Sequence, residues 1–255
     1  MKKILFCFLC LVTFSIIANA DISELENKAN QGDTEAQGML GAMYYYGEGV
    51  KQDYYKAKKY FELLANQGKS DAQGMLGVMY KNGEGVKQDH HKAKEYFELA
   101  ANQNNSEAQS MLGRMYYFGE GIKKDHHKAK KYYELAANQN NSEAQFMLGG
   151  MYYLGAGIKK DYHKAKEYYE LAANQGYVRA QFMLGVIYYF GDGVKQDYHK
   201  AKEYYELAAN QGYAKAQGML GVMYKNGEGV KQDYHKAKEY FGVACDNGDQ
   251  EACNQ

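Results

Sequence analysis

Ala36, Ala72, Ala108, Ala144, Ala180, Ala216 and Ala252 follow one another at intervals of 36 residues without a slip. A chain with so strict a period folds as a stack of like units, because each unit buries its apolar face on its neighbours. Six full units follow, 33–68, 69–104, 105–140, 141–176, 177–212 and 213–248. Residues 249–255 begin a seventh. Residues 21–32 end in Ala29-Asn30-Gln31-Gly32, a copy of Ala173-Asn174-Gln175-Gly176, and read as the second half of a unit. The composition of the 255-residue chain, with 27 Tyr, 28 Gly and neither Pro nor Trp, is the trace of the same repetition.

Unit four shows what is repeated. Ser142-Glu143-Ala144-Gln145 has the form of a capping box, as do the segments from Thr34, Ser70 and Ser106. A first helix is expected to about Leu154, with Ala144, Leu148, Met151 and Tyr152 on one apolar face. Gly155 and Gly157 suit a tight helix-ending turn because glycine tolerates positive φ. Asp161 is a good N-cap for a second helix. That helix carries Ala165, Tyr168, Ala172 and Ala173 inward and ends at Asn174-Gln175-Gly176. Small residues such as Gly149 allow close helix approach, and Met pairs such as Met39/Met43, Met75/Met79 and Met147/Met151 fill the core. The expected fold is all-α, a right-handed α-solenoid of two-helix repeats.

The N-terminal residues read as an address. Lys2 and Lys3 precede an apolar run, Ile4–Ile17, and Ala18-Asn19-Ala20 has the small-x-small form of a cleavage site. This predicts a secretory signal peptide over residues 1–20. The run is short of the ~20 residues of a membrane span, and the mean hydropathy of −0.68 fits a soluble mature protein. The whole chain balances 31 basic against 31 acidic residues, which argues against a nucleic-acid binder. The leader also takes Cys7 and Cys10 with it. Cys245 and Cys253 remain as an even pair in an exported chain, where disulfides persist.

The pattern Ala144, Leu148-Gly149, Tyr152, Gly155-x-Gly157-Ile158, Asp161, Lys164-Ala165, Tyr168, Ala172-Ala173 and Gly176 resembles the Sel-one-like repeat (SLR), a relative of the tetratricopeptide repeat. Lys159 departs from it, since many family members have Pro in that loop. Unit six departs too, ending Gly242-Val243-Ala244-Cys245. Cys245 and Cys253 are similar to the C-x7-C pairs of bacterial cysteine-rich secreted SLR proteins, and the resemblance implies a bridge from one unit to the start of the next. At the other junctions these two positions hold Ala and Gln, for example Ala209 and Gln217. A loop of this size contributes ~2–3 kcal/mol. A redox pair is the rival reading.

Catalytic chemistry finds little foothold. His91, His127, His163, His199 and His235 recur once per unit, with His90 and His126 beside two of them. Neighbouring helices pack ~8–10 Å apart, too far for equivalent histidines to share a metal ~2 Å from each ligand. They read as polar residues in the first turn of an exposed helix. The Gly-x-Gly loops lack the Lys-Ser/Thr of a phosphate loop. Ser23, Ser70, Ser106, Ser110 and Ser142 fit no serine-enzyme motif. No cofactor and no metal is expected.

The differences between units carry the functional reading. Positions equivalent to Phe146, Gly150 and Tyr153 fall on the first-helix face expected to lie opposite the core, which resemblance to tetratricopeptide folds places in a concave groove. The first position runs Gly38, Gly74, Ser110, Phe146, Phe182, Gly218. The second runs Ala42, Val78, Arg114, Gly150, Val186, Val222, and the third Tyr45, Lys81, Tyr117, Tyr153, Tyr189, Lys225. Arg114, Tyr117, Phe146, Tyr153, Phe182 and Tyr189 are therefore the expected peptide-binding residues, with Lys81 and Lys225 flanking. Rings take apolar side chains and Arg takes a carboxylate. The expected function is a secreted or periplasmic, non-catalytic interaction scaffold for an envelope or host protein. Two alternatives stand beside it: a β-lactam-binding protein or weak β-lactamase, as described for cysteine-rich SLR relatives, and a structural envelope component.

Overall fold

A computed structural model describes residues 22–255. The leader expected over residues 1–20 lies outside the described residues. The chain divides into two compact units, one ending at Tyr132 and one running from Tyr133 to Gln255. The first holds α1 (Ile22–Asn30), α2 (Thr34–Tyr46), α3 (Tyr54–Asn66), α4 (Ser70–Asn82), α5 (His90–Ala101) and α6 (Ser106–Phe118), and the division falls within α7 (His126–Ala137). The second holds α8 (Ser142–Leu154), α9 (Tyr162–Asn174), α10 (Val178–Phe190), α11 (Tyr198–Ala209), α12 (Ala214–Asn226), α13 (Tyr234–Asp246) and a 3-10 turn at Ala252–Asn254. Among the described residues all thirteen long elements are α-helices, and the all-α class of two-helix repeats is observed. Within each unit, successive helices pack on one another, α2 on α3 and α3 on α4 in the first, α8 on α9 and α9 on α10 in the second.

Each first helix buries the face its spacing dictates. Ala144, Leu148 and Met151 are fully buried and Tyr152 nearly so. The helix ends where Gly155 takes the left-handed conformation, φ 74°, its N–H donating to Met151 O. Side chains other than Asn rarely enter that region, and among the described residues Asn104 and Asn140, both at φ 61°, are the non-glycine cases. Asp161 then caps α9, its Oδ1 accepting from Lys164 N at 3.1 Å.

The start of the first helix differs from expectation. The capping residue is Asn141, whose Oδ1 accepts from Ala144 N at 2.9 Å, and Ser142 is already the first helical residue. Asn105 and Asp33 act likewise, while Lys69 makes no side-chain cap bond. Gln145 does not reach back within a capping box. Its Nε2 donates to Ala137 O, eight residues upstream in the preceding second helix. That carbonyl, at the helix end, already accepts from Asn140 N at 2.9 Å, and the buried Gln, 1% exposed, gives it a second bond.

The second helix also turns differently. Tyr169, not Tyr168, is the deeply buried ring of α9. It lies beneath Gly149, where a Cβ would come within 2.7 Å of the ring. Phe97 stands in the same way under Gly77, and Phe241 under Gly221. Tyr168 instead stacks on Tyr152, centroids 5.7 Å apart and planes 9° apart. The same stacked pair recurs as Tyr44–Tyr60, Tyr80–Tyr96 and Tyr116–Tyr132 in the first unit and as Tyr188–Tyr204 and Tyr224–Tyr240 in the second. Thus repeats one, two, four, five and six are clasped twice, by a ring under a glycine and by a tyrosine pair.

Candidate functional site

The third variable position lies in the last turn of the first helix, and it reaches the glycine turn of the following repeat. Tyr45 Oη donates to Glu84 Oε2 at 2.6 Å and Tyr189 Oη to Glu228 Oε2 at 2.6 Å, with Tyr153 bonded in the same manner to Asp192. Burial, reinforced by the neighbouring carboxylate, holds these three phenols above the ordinary tyrosine range. Where the position is Lys81, an ion pair to Glu120 replaces the hydroxyl bond at 3.0 Å. Arg114 Nε meets the other oxygen of Glu120 at 3.1 Å. Burial works to raise the Glu120 carboxyl, but the two cations together pull it below its usual range. The equivalent residue for Tyr117 is Ala156, which carries no carboxylate, and the Tyr117 ring lies edge-on to Phe118 and His126.

The first position is filled or empty by turns. Phe146 packs between Tyr169 and Tyr177, ring centroids 5.6 and 5.3 Å away, with the Arg179 guanidinium over its face at 4.7 Å. Phe182 packs between Tyr205 and Tyr213 at 5.7 and 5.2 Å. At Gly38, Gly74 and Gly218 there is no ring.

Of the six expected binding residues, Arg114 and Tyr117 belong to the first unit and Phe146, Tyr153, Phe182 and Tyr189 to the second. The four in the second unit are half-buried, and they pack against the cores of their repeats. The expected face is therefore not opposite the core. Tyr169 and Tyr205 of the second helices run beneath the first helices and meet these rings from below. Arg179 and the cap-position tyrosines Tyr177 and Tyr213 are partners that sequence reasoning passed over. Their signal was present as Gly-Tyr-Val-Arg and Gly-Tyr-Ala-Lys at just those two junctions.

In the second unit an open cleft of about 720 Å³ lies beside this row. Phe182, Tyr213, Met219, Val222 and Phe241 give it an apolar floor, and the segment Asn247–Ala252 walls it. The segment is tied down by a disulfide between Cys245 and Cys253. Elsewhere the same two positions are joined by a hydrogen bond, as in Gln217 Nε2 to Ala209 O at 3.2 Å and Gln73 Nε2 to Ala65 O at 3.5 Å. A second glutamine fastens the first, Gln211 to Gln181 at 2.7 Å and Gln103 to Gln73 at 2.8 Å. Asn247 does the same to Gln217 at 2.9 Å. A second depression, about 770 Å³, lies at the start of α11 and is lined by Lys166, Tyr188, Lys195, Tyr198, His199 and Lys200. His91, His127, His163, His199 and His235 are exposed in the first turn of their helices.

The Sel1 repeat model matches residues 34–69, 70–105, 106–141, 142–177, 178–213 and 214–249, one residue out of phase with the division at the alanines. The chain belongs to the Sel1 repeat family. Sel1 repeats usually serve as scaffolds for protein–protein interaction. The chain is similar to c5321, a protective antigen of uropathogenic Escherichia coli strains displaying an SLR fold, at 35% identity and a TM-score of 0.85. The match covers 92% of this chain and 50% of the antigen, so the chain spans half the length of that relative. A Sel1 repeat protein from Oxalobacter formigenes is 33% identical with a TM-score of 0.79, covering 89% of this chain and 99% of its own. An immunity protein of Pseudomonas aeruginosa, Pa5087, shares the fold at 20% identity and a TM-score of 0.54. No curated protein matches the chain. Among the described residues no helix is long and apolar enough to cross a membrane.

Proposed function

We propose that the protein is an exported, non-catalytic scaffold that binds an extended peptide or protein segment along the first helices of its second unit. The observation that carries this reading is the cleft of about 720 Å³, whose floor is apolar and includes the variable positions Phe182 and Val222. The residues that build the stack are nearly constant from repeat to repeat, so side chains that vary on an accessible surface are free to serve a ligand. Export is supported by the leader-like residues 1–20 and by the Cys245–Cys253 disulfide, a bond that persists in oxidising compartments.

Selection of displayed random peptides on the oxidised protein, residues 21–255, tests the reading. The enriched peptides should bind Phe182→Ala about tenfold or more weakly, the loss expected when a central aromatic is truncated. The far-UV circular dichroism of that variant should match the parent. Peptides that bind parent and variant alike would place binding elsewhere and sink the proposal.

A further inference from the structure

Repeats five and six fill one place in opposite ways. In repeat five the ring of Phe182 is covered by Tyr213, and Lys215 follows two residues on. One repeat later, Gly218 stands for Phe182, Asp249 for Tyr213 and Glu251 for Lys215. Ring and cover are both missing, and the charge is reversed. The cleft is the space they leave. Asp249 Oδ1 is engaged by Glu251 N at 3.1 Å. Its Oδ2 looks toward Gly218, 2.9 Å from where a Cβ would stand. From Asp246 to Gln255 the chain carries Asp246, Asp249 and Glu251 and neither Lys nor Arg. Lys215 is the one cation lining the cleft among the described residues.

Repeat four shows what such a place holds when it is full: the Phe146 ring with the Arg179 guanidinium above it. We infer that the cleft of repeat six accepts an aromatic side chain together with an adjacent cation, so that the partner is a basic segment carrying Phe or Tyr beside Arg or Lys. The ligand supplies the ring that repeats four and five supply themselves and the positive charge that repeat four sets over its ring. Its ring stacks on the Phe182–Met219–Phe241 floor, and its cation meets Asp249 and Glu251. The disulfide matters here because it holds the acidic wall in place over the floor.

This inference rests on the peptide-binding reading above and specifies its chemistry. The probes are fluorescein-labelled Gly-Ser-Phe-Arg-Ser-Gly, the same peptide with Glu for Arg, and the same with Ala for Phe, titrated by anisotropy against the oxidised protein. The Phe-Arg peptide should bind about tenfold tighter than either control, the effect of one well-placed charge or ring. Asp249→Asn with Glu251→Gln, which keeps the turn's hydrogen-bonding atoms, should remove most of that preference. Gly218→Phe with Asp249→Tyr should abolish binding by rebuilding the internal pair of repeat five, and it should leave the protein folded because that pair fits the same backbone one repeat earlier. Equal binding of the Phe-Arg and Phe-Glu peptides, with loss of both in Phe182→Ala, would keep the cleft as a peptide site and overturn the charge preference. Binding by none of the three peptides would overturn the inference outright, and the outcome of the display selection then stands or falls by itself.

Discussion

The rung at Lys81 in the first unit and the rung at Tyr153 in the second occupy equivalent places and work by different chemistry. Lys81 and Arg114 hold Glu120 between two cations. Tyr153 gives one neutral hydroxyl bond to Asp192. The backbone beneath them is the same, with left-handed Gly83 at φ 77° and Gly155 at φ 74°. The stack is therefore indifferent to the kind of bond that spans the turn, provided something satisfies the carboxylate. What differs is the response to pH and to truncation, and that difference can be broken or sharpened by substitution.

The largest effect should come from disturbing the glycine-over-ring contact in the repeat that carries Tyr153. Gly149→Val places a branched side chain where a single Cβ would already stand 2.7 Å from the Tyr169 ring. A cost of about 3 kcal/mol or more is expected, at the upper end for overpacking. Chemical denaturation of parent and variant measures it, and a loss below 1 kcal/mol would show that the close approach is not required.

The two rungs themselves come next. Glu120→Ala leaves Lys81, whose side chain is 14% exposed, facing Arg114 without a counter-charge, and about 1–3 kcal/mol should be lost. Tyr153→Phe removes one hydroxyl and should cost about 1 kcal/mol. The pH dependence separates them by sign. Glu120 is lowered in the folded state, so its contribution is full above the ordinary glutamate range and is lost as pH falls through the folded value. Tyr153 is raised, so its contribution is full below the ordinary tyrosine value and fades as pH rises beyond about 10. Melting temperatures taken from acid to alkaline pH should show Glu120→Gln flattening the acid limb and Tyr153→Phe the alkaline one. The reverse assignment would refute the account of the rungs.

The smallest effect should be a gain. Tyr205 Oη is buried without a hydrogen-bond partner among the described residues, whereas repeat six has Phe241 at the same place. Tyr205→Phe should leave stability unchanged or raise it by up to about 1 kcal/mol, since an unsatisfied hydroxyl is removed. A measurable loss on denaturation would mean that the hydroxyl is bonded.

How far the sequence could be read follows from how local each feature is. Helix ends were legible at Gly155 and Asp161, because a left-handed turn and an N-cap are decided by one or two residues. The start of the first helix was misplaced by one residue because Asn141 and Ser142 are both good caps, and only geometry chooses between them. Gln145 was misread because its partner, Ala137 O, lies in the preceding repeat. Tyr168 and Tyr169 are chemically alike, and the choice of buried ring depends on Gly149 across the helix pair. The candidate surface was legible as a set of varying positions, but not as the half-buried seam it proved to be. The Arg179–Phe146 contact spans 33 residues and leaves no periodic trace.

The reach of the fastenings has a consequence for how such a chain is made and remade. A glutamine clasp joins residues 8 apart, its second glutamine 30 apart, and a rung 39 apart. During synthesis, a repeat can close once about one further repeat of chain has left the ribosome, without waiting for distant segments. A whole repeat gained or lost in register by recombination would meet the same fastenings on both sides, so the chain can change its length by 36-residue steps without redesigning its interior.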